Sequence, residues 1–433
     1  MNVAIDIPGA DPQGRVFLTW APVKATARLT DGPGAGTNVN VTLRSAGPVG
    51  GLLFDTVRSQ QGTGSLTLSL AGDGTPTPFW VAGEFGKPSA DYGDAAIEAS
   101  AEDGSVLGST PVMVRIRKNA NTLATGERDR FLAALGTLNG RGQGAYKDFR
   151  DMHVAQTTRE MHGNVGFPPW HRAYVLDLER TLQAIDPTVA IPYWRFDQAA
   201  PNVFTAAFMG QARRTGTVTF TPGHALEHWF TDGQPGIVRS PRFKLNQPAL
   251  VRDEAATMAL GQSWDPFQTD EDDGFEIDPH GSAHTSFNGP ISRIPTAVRD
   301  PLFFMLHANV DRLWAKWQWL NHLADPQNPD AYAPPLPDPQ FPGAHEIGHH
   351  LGDTMWPWNG VTGSPRPATA PGGPFPSSPA TPAPGSTPMV QDVFDHLGVT
   401  GGDHLAFAYD DVPFELPATV VAGGPASPSA GSG

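Results

Sequence analysis

From Asn2 to about Ile116 the apolar positions fall in short β-branched runs, among them Val39 to Leu43, Leu66 to Leu70 and Val112 to Ile116, separated by Gly, Pro, Asp and Asn. Side chains alternate faces along a strand and turn residues send the chain back, so this rhythm predicts an antiparallel sandwich or barrel. The period changes near Thr125, where Thr-Gly-Glu-Arg opens an amphipathic stretch through Leu138 with helical spacing. A second helix is predicted from Pro168 to Ile185, closed by Asp186-Pro187. A third begins at Asp300-Pro301, an N-cap followed by proline at the first helical position, and runs to about Asn321. Gly360 to about Pro388 and the tail after Pro417 are dense in Pro, Gly, Ser and Thr, a composition suited to linkers.

The expected organisation is multidomain. Residues 1–113 form an all-β, sandwich-like N-terminal domain, 114–359 a mainly α-helical domain and 360–388 a linker. Residues 389–416 form a segment that closes the helical domain, and 417–433 a flexible tail. No repeat of domain scale is present. A length of 433 residues agrees with more than one folding unit.

Charge and cysteine content narrow the chemistry. The formal net charge is -15, which argues against nucleic acid or an anionic membrane as partner, because phosphate binding needs clustered Lys and Arg. A small neutral substrate fits better. There is no cysteine, so disulfides, thiolate metal sites, cysteine nucleophiles and iron–sulfur clusters are excluded together. Any metal must rest on His, Asp and Glu. The start, MNVAIDIPGADPQGR, lacks a basic segment followed by an apolar one, and no apolar run is long enough to span a bilayer. The expectation is a soluble chain, cytoplasmic or exported without a recognisable signal here.

The fourteen histidines carry the chemistry through their arrangement. His153-x8-His162-x8-His171 ends in Phe-Pro-Pro-Trp-His-Arg-Ala-Tyr, at the opening of the second predicted helix. His280-x3-His284 would place two rings on one helical face, and His307 lies on the third helix among Phe303, Phe304, Leu306 and Val310. Any one of these alone reads as an ordinary core or surface histidine, and H-x3-H arises often by chance. Two sets of three imply two ions, and an all-imidazole set leans towards copper. Facing helices are a known way to assemble such dinuclear sites.

Phe167-Pro-Pro-Trp-His171-Arg-Ala-Tyr174 resembles the first copper signature of tyrosinases, and Asp300-Pro-Leu-Phe-Phe-Met-Leu-His307-Ala-Asn-Val-Asp311-Arg-Leu-Trp314 the second. The resemblance, to the tyrosinase and catechol oxidase family of type 3 copper proteins, covers roughly Val114 to Asp411. It implies a tyrosinase-like four-helix-bundle catalytic domain holding two copper ions. His153, His162 and His171 would bind copper A, and His280, His284 and His307 copper B. The implied partners are dioxygen and a small phenol; oligomeric state is not implied. Arg115-Ile-Arg117-Lys-Asn resembles the family's opening segment. Phe407-Ala-Tyr409-Asp-Asp resembles the aromatic motif that closes the domain, with Arg117 its expected partner.

Three departures bear on the reaction. Where many members have paired histidines before Ala-Asn-x-Asp, this chain has Leu306-His307, which leaves the ligand set intact. Without cysteine there is no thioether to a copper A histidine. After the first copper B histidine, efficient phenol hydroxylators of the family carry Asn, which with an upstream Glu orients a water that deprotonates the phenol; this chain has Gly281. Glu271, Asp272 and Glu276 are the candidate carboxylates. Oxidation of o-diphenols or o-aminophenols to quinones is therefore the expected activity, ahead of monophenol hydroxylation. Thr285 and Ile294, the latter at the position of the family's gate residue, are expected to line the entrance.

The chain also carries competing motifs. His345-Glu346-x-x-His349 matches the zinc protease helix, but the third ligand of its extended form would fall on Met355. His224-x3-His228 lies too far upstream of the third helix to join His307. A hemocyanin-like oxygen carrier is the non-enzyme alternative.

Overall fold

The computed structural model describes residues 1–154, 158–211, 216–231, 233–268, 274–333, 337 and 347–417. Nine strands occupy the first part: β1 Val3–Asp6, β2 Val16–Leu18, β3 Val23–Leu29, β4 Asn38–Ala46, β5 Leu52–Asp55, β6 Ser65–Ala71, β7 Thr77–Gly83, β8 Ala95–Ser100 and β9 Val106–Val114. They form a four-stranded sheet in the order β1-β3-β7-β5 and a five-stranded sheet in the order β2-β9-β8-β4-β6. Pairing is antiparallel except between β2 and β9, where Val16 faces Val112. Register follows the alternation of the sequence: Val41 pairs with Leu68, and both are buried while their neighbours along each strand are more exposed. Ala25, Ala27, Phe79 and Val81 from one sheet and Val41, Leu43, Ile97 and Val112 from the other share one apolar core.

The helices are α1 Thr125–Asn139, α2 Tyr146–Met152, α3 Thr158–Met161, α4 Phe167–Gln183, α5 Glu254–Met258, α6 Trp264–Gln268, α7 Ser282–Thr285 and α8 Leu302–Leu320. Pro168 and Pro169 sit in the first turn of α4, where backbone N–H groups have no helical acceptor to lose. α8 begins at Leu302, one residue after the predicted start, and Asp300 Oδ1 accepts from Leu302 N–H at 2.9 Å. Nearly every residue of α4 and α8 is buried, as expected for helices at the centre of a core.

The expectation of a mainly α-helical domain after an all-β one is met in part. The chain as a whole is 25% helix and 19% strand, and the described residues of the connections 185–253 and 321–417 are largely irregular, with short turns and two-residue strands. The stretch 360–388, expected as a linker, is irregular and largely exposed, with a few residues anchored against the helical part. Phe375 and Thr381 are buried, and the carbonyls of Pro376 and Ala383 accept from Arg180 of α4 at 2.8 and 2.6 Å. Proline and glycine there rule out regular structure without ruling out burial.

Residues 389–414 join the two cores. Phe394, Phe407, Tyr409 and Val412 belong to the helical core, and Leu397, Ala408 and Phe414 to the β core. Tyr409 OH donates to Asp311 of α8 (2.7 Å). The Arg117 guanidinium donates to Glu179 of α4 (2.9 Å), Asp311 (3.1 Å) and Tyr409 OH (2.8 Å), and lies 3.7 Å from the Phe407 ring centre. Arg172 Nε donates to the other oxygen of Asp311 at 2.5 Å. Asp311 thus holds α4 against α8, one turn from His307 and one residue from His171 in the pairing.

Candidate dinuclear metal centre

Each histidine of the two sets arrives on a different piece of this frame. His153 ends α2, His162 follows α3, and His171 lies in α4. His280 lies in the wide turn Glu276–Gly281, His284 in α7 and His307 in α8. All six are buried. The ligand atoms of His153, His162 and His171 lie within 4.8 Å of one another, and those of His280, His284 and His307 form a second such group. The sets adjoin: His171 stacks on His307 with ring centres 4.4 Å apart, and His162 on His280 at 5.6 Å.

Five rings are oriented through Nδ1. His153 donates to Ile294 O (2.8 Å), His171 to Phe167 O (2.8 Å), His280 to Glu276 O (2.8 Å) and His284 to Ile291 O (2.7 Å). His162 donates to the Glu276 carboxylate at 2.9 Å. Carbonyls and carboxylates only accept, so each Nδ1 carries the proton and each Nε2 presents a lone pair. His307 is set instead by packing, its ring stacked on Phe303 at 4.2 Å.

These lone pairs test whether a metal fits. Nε2 of His153 and Nε2 of His162 are 3.2 Å apart, yet both are acceptors and cannot bond each other. The Nε2 atoms of His284 and His307 face one another at 3.1 Å. Nε2 of His171 and of His280 is buried without any partner. Acceptors gathered this way in a dry site need a cation between them, and nitrogen ligands about 2.0–2.1 Å from one ion have such a spacing. Burial depresses the basicity of every ring: the pKa of His162 is pushed down to about 3 and that of His284 to about 4. His153, His171, His280 and His307 fall well below the usual imidazole range, first by burial and then by the neighbouring rings. All six are neutral at neutral pH, the form that binds metal.

A cleft of about 200 Å³ opens onto His153, His162, His280 and His284, so it reaches both sets. Glu276, Gly281, Thr285 and Ile294 line it. Glu276 Oε1 also accepts from Gly163 N–H at 2.8 Å. Gly281 has helical angles, and a Cβ there would meet only Glu276 O, at 3.4 Å. Thr285 Oγ1 donates to Gly281 O at 3.0 Å. Ile294 is 39% exposed at the mouth. Glu271 and Asp272 lie outside the described residues.

Sequence reasoning missed several contributors. The carbonyls of Phe167, Glu276 and Ile291 orient three rings; the first two were readable as residues four before a histidine in a helical turn. Ser292 and Arg293 also line the cleft, and nothing but adjacency to Ile294 signals them.

The competing motifs stay apart from the site. His349 is buried; its Nδ1 accepts from Gly166 N–H (2.9 Å) and its Nε2 donates to Arg159 O (2.7 Å), which ties down the start of α4 and leaves no lone pair for zinc. His345 and Glu346 lie outside the described residues. His224 stacks on Phe220 and His228 is exposed, and neither joins a metal-binding group among the described residues. Among those residues no helix is long and apolar enough to cross a membrane.

Fold and site together define a protein with a buried dinuclear centre built wholly from histidine. Residues 143–320 match the family model described as the common central domain of tyrosinase. The chain is 28% identical over 270 residues to a tyrosinase of Streptomyces glaucescens, covering 56% of this chain and 92% of that one. It is 30% identical over 227 residues to Hemocyanin 2 of Megathura crenulata, covering 47% of this chain and 6% of that protein. A functional unit of octopus hemocyanin superposes with a TM-score of 0.45 at 20% identity, covering 69% of each chain. The matched segment is similar to the tyrosinase central domain, and the two buried histidine triads fit the binuclear copper site of that family.

Proposed function

We propose that this protein oxidises o-diphenols, or the related o-aminophenols, to quinones with dioxygen at two copper ions. His153, His162 and His171 would hold one ion, and His280, His284 and His307 the other. Bound copper supplies the electron transfer between substrate and dioxygen. Two diphenols each lose two electrons and two protons, and one dioxygen becomes two waters.

The observation that carries this reading is the cleft, because it opens at once onto rings of both triads. A planar ring entering past Ile294 and Thr285 meets small residues, Gly281 and Ser292, instead of a blocking side chain. The histidine rings that line the cleft, His153 and His284 of them backed by Phe303, would orient the ring. Diphenol oxidation is favoured over monophenol hydroxylation because Gly281 offers no amide to hold a water. The Glu276 oxygen facing this region also already accepts two N–H groups.

Reversible oxygen carriage is the second reading, favoured by the likeness to Hemocyanin 2. Copper content and oxygen uptake with a monophenol, an o-diphenol and an o-aminophenol separate the two: turnover of the diphenol supports the oxidase, and oxygenation without turnover supports the carrier. His171→Ala and His307→Ala should each lose copper and turnover. Full activity in either would overturn the ligand assignment.

A further inference from the structure

Away from the histidines, a cavity of about 380 Å³ lies where the loop before β2 meets α4 and the irregular strand at Ser377–Ala380. Three arginines line it, and two are buried: Arg115 is 6% exposed and Arg180 5%. Among the described residues neither makes an ion pair. Arg115 Nη1 donates to Pro187 O at 2.5 Å, and its guanidinium lies 4.6 Å from the Phe17 ring centre. Arg180 gives Nη1 and Nη2 to the carbonyls of Pro376 and Ala383, and its Nε is buried with no acceptor.

Neighbouring carboxylates do not balance this charge. Glu179 is committed to Arg117 (2.9 Å) and to Ile191 N–H (2.9 Å). Asp11, the single acid in the cavity wall, pairs with the third arginine, Arg15, at 2.8 Å. In the cavity wall three guanidiniums therefore face one carboxylate, in a chain whose net charge is -15; Asp177, also close to Arg180, accepts from Trp358 Nε1 at 2.6 Å and Thr181 Oγ1 at 3.3 Å. Burial lowers the pKa of both Arg115 and Arg180 to about 10, so the missing water is not fully replaced by the carbonyls. A buried cation is ordinarily matched by a counter-charge, and the planar fork of guanidinium suits a carboxylate or phosphate.

We propose that this cavity binds a small oxyanion, a carboxylate or a phosphate, between Arg115 and Arg180 with Arg15 at the rim. Its occupant touches the β layer through Phe17 and Arg115, α4 through Arg180, and the strand at Ser378. It would clamp the three together. The site shares no residue with the cleft over the histidines.

The test uses the full-length, copper-loaded protein. Calorimetric titrations with inorganic phosphate and with hexanoate, at constant ionic strength set by chloride, read affinity and distinguish the two sources. At least one should bind, and a saturating amount should raise the unfolding temperature relative to chloride. Arg115→Gln and Arg180→Gln should each weaken that binding at least tenfold and abolish the rise. Arg15→Gln, partly exposed and safe for folding, should weaken it about threefold. A merely structural role for the arginines would lower stability equally with and without the anion. No binding of either anion beyond chloride, or unaltered affinity in Arg15→Gln or either buried variant, would overturn the proposal.

Discussion

Glu276→Ala tests how the copper A half of the centre is held. Of the five rings anchored through Nδ1, four donate to main-chain carbonyls, which no substitution of their own residue removes. His162 alone relies on a carboxylate, at 2.9 Å. A hydrogen bond to a charged group contributes about 1.5–3 kcal/mol. Losing it frees the ring to rotate and lowers the basicity of the nitrogen aimed at the metal. Over that energy range the affinity of the His153, His162, His171 set for copper should fall roughly 10- to 100-fold, in line with the usual effect of removing a group behind a ligating histidine. Glu276→Gln, which keeps an acceptor but no charge, should fall by about tenfold or less. The set containing His307 should be spared, since Glu276 reaches His280 through its backbone oxygen, which survives the change. The measurement is copper released against a graded chelator, followed by metal analysis, with oxygen uptake on an o-diphenol in parallel. One ion should leave early and the second late. Simultaneous release at the wild-type chelator concentration would refute the argument.

Gly281→Asn should raise monophenol hydroxylation relative to diphenol oxidation, because helical angles and the open space around its Cβ admit the side chain; the ratio of the two initial rates checks this, and no change would show that an oriented water does not govern selectivity. Acid should destabilise the copper-free protein. The six rings have folded pKa values below the unfolded value near 6.5, so the unfolded chain binds more protons as pH falls below 6.5. Stability is fully present above that point and is lost by roughly 1.4 kcal/mol per pH unit for each ring that stays neutral in the fold. Chemical denaturation of apoprotein at pH 7.5 and 5.5 measures it, and equal stabilities would contradict the burial of these rings. Asp311→Ala leaves Arg117 and Arg172 facing one another with a shared counter-charge gone; it should cost about 3–5 kcal/mol in denaturant titration and should loosen copper at both His171 and His307, whereas a loss under 1 kcal/mol would mean the network does not join α4 to α8.

What the sequence discloses here depends on how a position is held. Ligands that sit at helical or near-helical spacing, His280 and His284, or beside a proline-started helix, as with His171, are legible because the local backbone fixes where the ring goes. The start of α8 was legible for the same reason, since Asp300 and Pro301 act within one turn. By contrast, the convergence of His153 and His162 on His171 depends on α2, α3 and the turn at Glu276 meeting across the core, and only the family resemblance supplied that. Composition leaves burial open. Proline and glycine between 360 and 388 exclude helix and strand, yet they do not say whether the chain lies in water, and here Arg180 holds it down through carbonyls that any sequence would offer. That is the general limit: side-chain patterns report the groups that differ between residues, whereas the oxygens orienting His153, His171, His280 and His284 belong to the backbone all residues share. Glu276 is the one such anchor written in side-chain chemistry, and the sequence named it only beside Glu271 and Asp272, as a carboxylate that could orient a water.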